Sequence, residues 1–571
     1  AQTVAINQPD GVHVADGTYN YRLVTAPDGM TQDGLYVNYG LTTINILDGK
    51  TLTLAEDAGA TGLAADMSAQ ITGTGNLAVA AGDGSVSLSN GTNTYSGTTE
   101  AQSGTFITAA NNVLGKTSDL IIDTGATVSI ESTTQSVGAL DTLDGAKLDI
   151  GTGTLNITAS QREAGNTNGG LVMADSLSGA GTLNIDQSIT GINGANTGFM
   201  STVNLSGGST VVMNNVQGLG SSTVNLATGS DTLVLGELSN NPNLSSPVAT
   251  GVVPDGTLTS TVAGLGTVSL RDGAVVTLAN DNSGFSGKWD IRSDSVLEAS
   301  VQNQLGAATI ADNGTLKINT ATDWTLGNAV TGTGMLDKNG AGALTLTSAS
   351  SQYTGVTNVN EGTLMLGTEM APVNLSSTEV NVAGNANFGG FGGTSGDINN
   401  KGIFQIGSAT AQNAVTTFNV GGNLTNSGSI VLGSGSLVGN TLNVAGDYTG
   451  NDGIVRLNTV LGGDSSVTDK LHVTGNVTGT STLLINNIGG TGEQTVNGIQ
   501  VVQVDGVSDA KSPDGKSPVA GANFKLGNSV KAGAYEYILQ SRGEDWYLVN
   551  YLTDGAIYRP EVSNYVSGQR I

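Results

Sequence analysis

The sequence contains no cysteine. A disulfide framework, a thiolate metal site and a cysteine nucleophile are therefore excluded, and such a chain suits passage across a membrane in the unfolded state. Charged residues make up 12% and aromatics 4% of the 571 residues, so neither dense ion pairing nor an aromatic-rich core organises the fold. Histidine occurs twice, as His13 and His472, in segments expected at opposite ends of the molecule. Basic residues are also scarce. The formal net charge is −27, and no Lys or Arg lies between Arg162 and Arg271. This disfavours nucleic acid and other long polyanions as general partners, because both require clustered basic side chains to displace counterions. No apolar run reaches the about 18 residues of a membrane helix. The opening Ala1-Gln2-Thr3 has no basic stretch followed by an apolar one, so the sequence reads as a mature segment whose signal has been removed.

What is present is glycine, 85 residues of it, and 37% hydrophobic residues that recur in alternation. Disorder is excluded by that regularity, and helices are excluded by the glycines, each costing about 1 kcal/mol in a helix interior. A four-residue motif of Thr, apolar, Asn, aliphatic recurs at Thr43-Ile44-Asn45-Ile46, Thr154-Leu155-Asn156-Ile157, Thr182-Leu183-Asn184-Ile185, Thr202-Val203-Asn204-Leu205, Thr223-Val224-Asn225-Leu226, Thr417-Phe418-Asn419-Val420 and Thr441-Leu442-Asn443-Val444. Period-2 alternation sends the aliphatics to one side and Thr and Asn to the other. One short strand per coil of about 20 residues, punctuated by Gly-Asn, Asp-Gly and Ser-Gly turns, predicts an all-β fold: a right-handed parallel β-helix, on the order of 100 Å long. Stacked copies would place Thr over Thr and Asn over Asn. Such ladders either satisfy their own amides or offer a weakly charged, hydrogen-bonding strip for docking. Asn204 and Asn225, 21 residues apart, are the ladder members to test for binding.

Longer repeats carry a family resemblance. One copy runs from Ile71-Thr72-Gly73-Thr74-Gly75 through Tyr95-Ser96-Gly97-Thr98-Thr99 to Gly104-Thr105-Phe106 and Asn112-Val113-Leu114-Gly115. A second runs from Thr331-Gly332-Thr333-Gly334 through Tyr353-Thr354-Gly355-Val356-Thr357 to Glu361-Gly362-Thr363-Leu364. These resemble the passenger-associated transport repeat of autotransporters, and Phe285-Ser286-Gly287-Lys288-Trp289 resembles a degenerate third copy. The segments Asp469-Lys470-Leu471-His472-Val473, Asn497-Gly498-Ile499, Ala532-Gly533-Ala534-Tyr535-Glu536-Tyr537 and Asp545-Trp546-Tyr547-Leu548-Val549 look like the pertactin-like autochaperone end of a passenger. The early cluster Tyr19, Tyr21, Tyr36 and Tyr39 resembles the opening of passengers of the diffuse-adherence (AIDA) adhesin type. From the residues alone, these tyrosines are expected to cover the exposed end rung.

The resemblance implies an N-terminal cap with first rungs over 1–60, a repetitive stalk over 61–460, and an autochaperone cap over 461–571. The cap would be built on Tyr535, Tyr537, Trp546, Tyr547, Tyr558, Arg559, Pro560 and Glu561. It implies export to the bacterial surface, and a membrane β-barrel translocator that family members carry after this point. The expected function is adhesion in aggregation, biofilm formation or host attachment. Expected partners are a copy of itself on a neighbouring cell and host matrix proteins or glycans, with no nucleic acid and no cofactor. A passive spacer for an N-terminal tip is the alternative, followed by a polysaccharide-degrading β-helix enzyme using paired carboxylates. Serine-protease chemistry is disfavoured because Gly462-Gly463-Asp464-Ser465-Ser466 departs from the protease serine motif and the histidines lie far apart. Tandem calcium-binding nonapeptides are absent, and Asp-Gly pairs such as Asp83-Gly84 and Asp452-Gly453 read as turns.

Overall fold

Alternation within the repeated motif decides which side chains enter the core. In strand Thr202–Ser206, Val203 and Leu205 are fully buried, Thr202 is exposed and Asn204 is half-buried. Burying each aliphatic contributes roughly 1.5–3 kcal/mol before entropy is counted. A computed structural model describes residues 2–25, 35–56, 64–143, 145–158, 171–174, 177–237, 252–408, 413–432, 435–508, 522–552 and 555–560. These fall into two compact units, Ala1–Leu297 with Asn303–Ala308, and Glu298–Gln302 with Thr309–Ile571. Both are parallel β-solenoids. The helix Gln302–Leu305 is a single four-residue turn.

In the first unit the motif copies stack in a six-stranded parallel sheet running from Thr134–Val137 to Thr261–Gly264. Thr182, Thr202, Thr223 and Thr261 share one register position, and Leu183, Val203, Val224 and Val262 share the next. Type-on-type stacking follows because a one-residue slip would turn every aliphatic to solvent. The expectation of one strand per coil is corrected by the structure. Thr261–Gly264, Thr267–Leu270 and Val275–Leu278 follow one another within a single turn, and each pairs with its counterpart on a neighbouring turn. The corner at Asp272 and Gly273 is made by left-handed backbone, φ 59° and 85°, which glycine and aspartate tolerate best.

The start of this unit is antiparallel. Strand Gln2–Asn7 pairs with His13–Thr25, which pairs with Leu35–Ile46. The first strand reaches only from Gln2 opposite Tyr19 to Asn7 opposite His13, so the longer strands continue past it as a hairpin. Tyr21 and Tyr39 therefore do not cover the end rung as the sequence suggested, while Tyr19 and Tyr36 are half-buried. Tyr21 is 50%, Leu23 68%, Val37 62% and Tyr39 65% exposed, on one face of that hairpin because Tyr21 lies opposite Tyr39 and Leu23 opposite Val37.

In the second unit, Thr357–Val359, Glu379–Val382, Asp397–Asn400 and Leu424–Asn426 stack in parallel as one column. Gly362–Leu366, Ala386–Gly390, Ile403–Ile406 and Ser429–Leu432 form a second. A nine-stranded sheet carries the third column and ends by reversal. Ile499–Val504 pairs antiparallel with Asp545–Val549, which pairs antiparallel with Tyr535–Arg542. Antiparallel strands cover a parallel edge that would otherwise present unpaired backbone groups to another chain.

Candidate functional site

The stacked motifs produce a directional amide chain. Asn204 Nδ2 donates to Asn184 Oδ1 at 2.8 Å, Asn184 Nδ2 to Asn156 Oδ1 at 2.7 Å, and Asn156 Nδ2 to Ser136 Oγ at 3.1 Å. Asn225 stands in register directly on Asn204. The second unit repeats the device: Asn399 donates to Asn381 at 3.0 Å, Asn381 to Asn358 at 3.1 Å, and Asn358 to the Asp337 carboxylate at 2.8 Å. Asn443 donates to the exposed Asn419 at 2.9 Å. An asparagine amide has two donors and two lone pairs. At Asn184 and Asn204 the ladder uses one donor, leaving the other amide hydrogen for whatever covers the face, whereas Asn156 Nδ2 also donates to Gln135 O at 3.1 Å and Asn399 Nδ2 also to Glu379 Oε1 at 2.8 Å.

Inside the solenoid, the two transport-repeat segments share one arrangement that sequence reading missed. Tyr95 OH lies 2.7 Å from Thr99 Oγ1, which lies 2.6 Å from Thr117 Oγ1 on the next turn. Tyr353 OH lies 2.6 Å from Thr357 Oγ1, which donates to Ser377 Oγ at 3.1 Å. Burial pushes the Tyr95 phenol up to about 12, against the hydrogen bonds from Thr117 and Thr99. Between each pair sits a glycine, Gly97 or Gly355, where an added Cβ would collide with the carbonyl of Gly75 or Gly334 on the preceding turn.

At the degenerate copy, Phe285 packs edge-on against Trp289 at 5.1 Å, and Trp289 Nε1 donates to Leu305 O at 3.0 Å. A buried asparagine precedes Tyr95, Phe199 and Phe285. Asn93 bridges Ile71 N and Val113 O, Asn196 bridges Leu177 N and Gly218 O, and Asn282 bridges Val262 N and Gln304 O. The signal was available in Asn93-Thr94-Tyr95, Asn196-Thr197-Gly198-Phe199 and Asn282-Ser283-Gly284-Phe285, but varying spacing hides it from a fixed pattern.

Two buried ionisable groups stand near the second repeat. The Lys338 ammonium donates to the carbonyls of Asn339, Gly340 and Glu361 at 3.0, 2.7 and 2.9 Å. Its burial lowers its pKa, against the pull of Glu361 and Asp323. Asp312 is fully enclosed, and its Oδ2 has no hydrogen-bond partner among the described residues. Burial raises its carboxyl to about 7, outweighing backbone hydrogen bonds from Gly314 and Leu316, with Asp337 adding to the rise.

The residues expected to form the C-terminal cap divide by depth. Trp546 and Tyr537 are buried. Trp546 packs edge-on against Phe524 at 5.5 Å, and Phe524 stacks on Tyr448 at 5.9 Å. The Tyr537 hydroxyl lies within hydrogen-bond distance of two carbonyls, Gly462 O at 2.9 Å and Glu493 O at 3.1 Å. Tyr547 donates to Asp545 Oδ2 at 3.2 Å and lies under Arg542, 5.9 Å from its ring centroid. Tyr535 stacks on Tyr558 at 5.6 Å, Arg559 N donates to Ala534 O at 3.0 Å, and Tyr558 and Pro560 are exposed. Glu561 lies outside the described residues.

His13 pairs with Asp16 at 2.9 Å in the first unit, and His472 pairs with Asp505 at 2.9 Å in the second. Asp464 accepts the backbone N–H groups of Val496, Asn497 and Gly498 at 2.7–2.9 Å. Burial works to raise this carboxyl, but those N–H groups outweigh it and hold it below the usual range. It is a loop latch. Among the described residues, no cluster of His, Asp or Glu is arranged to hold a metal ion.

Comparison with known proteins gives these features a family. The passenger-associated-transport-repeat model matches residues 79–107 and 336–366, and the Autochaperone Domain Type 1 model matches 419–539. The Escherichia coli K12 protein YuaQ is 37% identical over 545 residues, covering 94% of this chain and 34% of its own. The Escherichia coli autotransporter adhesin AIDA-I is 32% identical over 142 residues, covering 23% of this chain and 10% of its own. The crystal structure of the Haemophilus influenzae Hap adhesin aligns with 89% of this chain and 64% of its own, at 12% identity and a TM-score of 0.34. The chain spans about a third or less of the length of the curated relatives it matches. Transport repeats on a parallel β-solenoid, with a type 1 autochaperone domain over its C-terminal turns, make this chain a member of the autotransporter passengers, which are secreted through the outer membrane to the cell surface.

Proposed function

We propose that the chain is the adhesive part of its autotransporter, acting without catalysis through its Thr/Asn face in bacterial aggregation, biofilm formation or attachment to host matrix and cells. The observation that carries this reading is the in-register column Asn156, Asn184, Asn204 and Asn225, in which Asn184 and Asn204 each spend one amide hydrogen on the ladder and keep the other. Repeated weak contacts along such a column add through multivalency. The name of the relative AIDA-I, an autotransporter adhesin, agrees with this reading. Partners are a second copy on a neighbouring cell, or host matrix proteins or glycans, together with the β-barrel translocator of the whole protein. The −27 charge argues against nucleic acid.

The test is sedimentation and mixed-culture clumping of bacteria displaying the full-length protein, beside binding of the soluble chain to matrix proteins and glycans. Clumping without panel binding means self-recognition, and panel binding without clumping means a host-directed adhesin. Neither result sinks the proposal, but failure of both does. A second reading, a spacer holding an N-terminal tip, is favoured by the exposed Tyr21, Leu23, Val37 and Tyr39. Removing residues 1–60 abolishes attachment on that reading and leaves it intact if the side face is the contact.

A further inference from the structure

Arg271 and Arg292 occupy one position on successive turns of the first unit. Arg271 follows strand Thr267–Leu270, Arg292 follows Lys288–Ile291, and Leu270 lies opposite Ile291 in the parallel pairing. Arg292 N donates to Leu270 O at 3.0 Å as Arg271 N donates to Leu235 O at 2.9 Å. Neighbouring turns lie about 4.8 Å apart, so two cations rise from one column of a chain with net charge −27. Like charges directly opposite one another are destabilising.

The two arginines are anchored differently. Arg292 Nε donates to Asp290 Oδ2 at 2.7 Å, whereas Arg271 Nε donates to a neutral group, Ser269 Oγ, at 3.0 Å. Ser269 Oγ in turn donates to Asp290 Oδ2 at 3.0 Å, locking the two supports together. Arg271 and Arg292 line a concavity with Asp272, Gly273, Ser293 and Asp294, and with each Nε held from within, the terminal nitrogens are the donors each fork has left to offer. Gly273 opens onto free space, and the turn residues Asp272 and Asp294 sit in left-handed backbone at φ 59° and 65°.

The concavity thus combines guanidinium donors with carboxylate acceptors. A carboxylate ligand would take the guanidinium donors, which match it in geometry. Asp272 Oδ2 already accepts the Glu237 N–H at 3.0 Å, and the acceptor capacity left on Asp272 and Asp294 calls for something else, namely hydroxyl protons. A sugar acid carries both groups on one ring. A sulfate-dense polymer would crowd anions against the two aspartates, and an acidic peptide brings a carboxylate without the hydroxyls. We propose that the Arg271–Arg292 bracket is a subsite for acidic sugar residues, holding the carboxylate between the guanidinium groups and the ring hydroxyls on Asp272 and Asp294.

The chain's overall charge repels long polyanions, so short acidic oligosaccharides are the fitting class. The site lies on a different strand column from the asparagine ladder and goes beyond the adhesive-face reading. Its test uses soluble protein and no clumping, so either idea can fail alone.

The experiment measures binding of the full soluble chain to tetragalacturonate, its methyl ester, a sulfated disaccharide and a tetraglutamate peptide. Expected is binding of tetragalacturonate alone. Arg271→Gln, which disturbs only the Ser269 contact, is expected to weaken it about tenfold or more. Arg271→Lys, keeping the charge without the fork, should lose less, and Asp294→Asn should weaken binding despite removing a negative charge. Circular dichroism verifies that each variant is folded. The proposal is overturned if tetragalacturonate fails to bind, or if its ester, the sulfated sugar or the peptide binds as well. It is equally overturned if Arg271→Gln binds like the parent, or if Asp294→Asn tightens binding as a plain charge patch requires.

Discussion

Asn204 donates to Asn184 across 2.8 Å although 20 residues separate them in sequence. The bond exists because each turn returns the same residue type to the same point of the sheet, with Asn184 opposite Asn204 and Asn204 opposite Asn225. Each amide bond to the next polarises the one beyond it, so the column behaves as a chain of coupled dipoles.

Replacing Asn204 and Asn225 together by Asp tests that column. Two carboxylates would stand about 5 Å apart on one face, and Asn184 Oδ1 would lose its donor, costing on the order of 1 kcal/mol. Clumping of displaying cells is expected to fall most at low salt and to recover partly as screening increases. Unchanged clumping with intact circular dichroism would remove this face from the adhesive contact.

The hydroxyl chain of the transport repeats predicts a stability effect. Tyr353→Phe removes one of the two hydroxyl partners of Thr357 inside the core, and Tyr95→Phe does the same to Thr99. Each is expected to cost about 1–2 kcal/mol in urea unfolding, with similar size because the two sites share one geometry. The folded pKa of Tyr95, about 12, lies above its ordinary value of 10.0. The folded chain therefore keeps a proton the unfolded one loses, and stability falls as pH rises from about 10 to about 12. Tyr95→Phe should blunt that loss, and an unchanged alkaline limb would refute the assignment.

Asp312 works in the opposite part of the pH scale. Its folded pKa, about 7, exceeds the ordinary 3.8. Between those values the folded state holds a proton that the unfolded state releases, so stability declines as pH rises and the full penalty is present above about 7. Asp312→Asn is expected to stabilise the chain at pH 8 by on the order of 1–3 kcal/mol and to change little at pH 3. Urea melts at the two pH values decide it. Equal effects at both would mean that Asp312 does not titrate in this window.

Much of this was legible because the Thr-apolar-Asn-aliphatic motif combines period 2 within a strand with a coil-length repeat. Val203 and Leu205 had to face inward once Val224 and Leu226 stacked on them. The other strand columns were hidden, since strands such as Thr210–Met213 and Thr232–Leu235 share the leading Thr, Thr210 opposite Thr232, but lack the Asn that marks the ladder. The exposure of Tyr21 and Tyr39 was also hidden, because it depends on how far the first strand reaches along the hairpin. Lys338 and Asp312 carry no sequence mark of their burial. Their burial depends on turn carbonyls and neighbouring coils that converge only in three dimensions.

The C-terminal segment offers the sharpest contrast between neighbouring aromatics. Trp546 is buried against Phe524, while Tyr551, five residues later, is 40% exposed. If the antiparallel strands close the solenoid and template its folding, truncating Trp546 should act on the whole chain and truncating Tyr551 should not. Trp546→Ala is expected to cost about 3–5 kcal/mol locally, and to slow refolding of the parallel turns, because a solenoid propagates structure from an established end. Tyr551→Ala should stay within about 0.5 kcal/mol of the parent. The check is refolding from urea, followed by Trp289 and Trp324 fluorescence, both far from the substitutions in sequence. Refolding of Trp546→Ala at the parental rate, with only the last strands destabilised, would leave the cap a passive cover for the sheet edge.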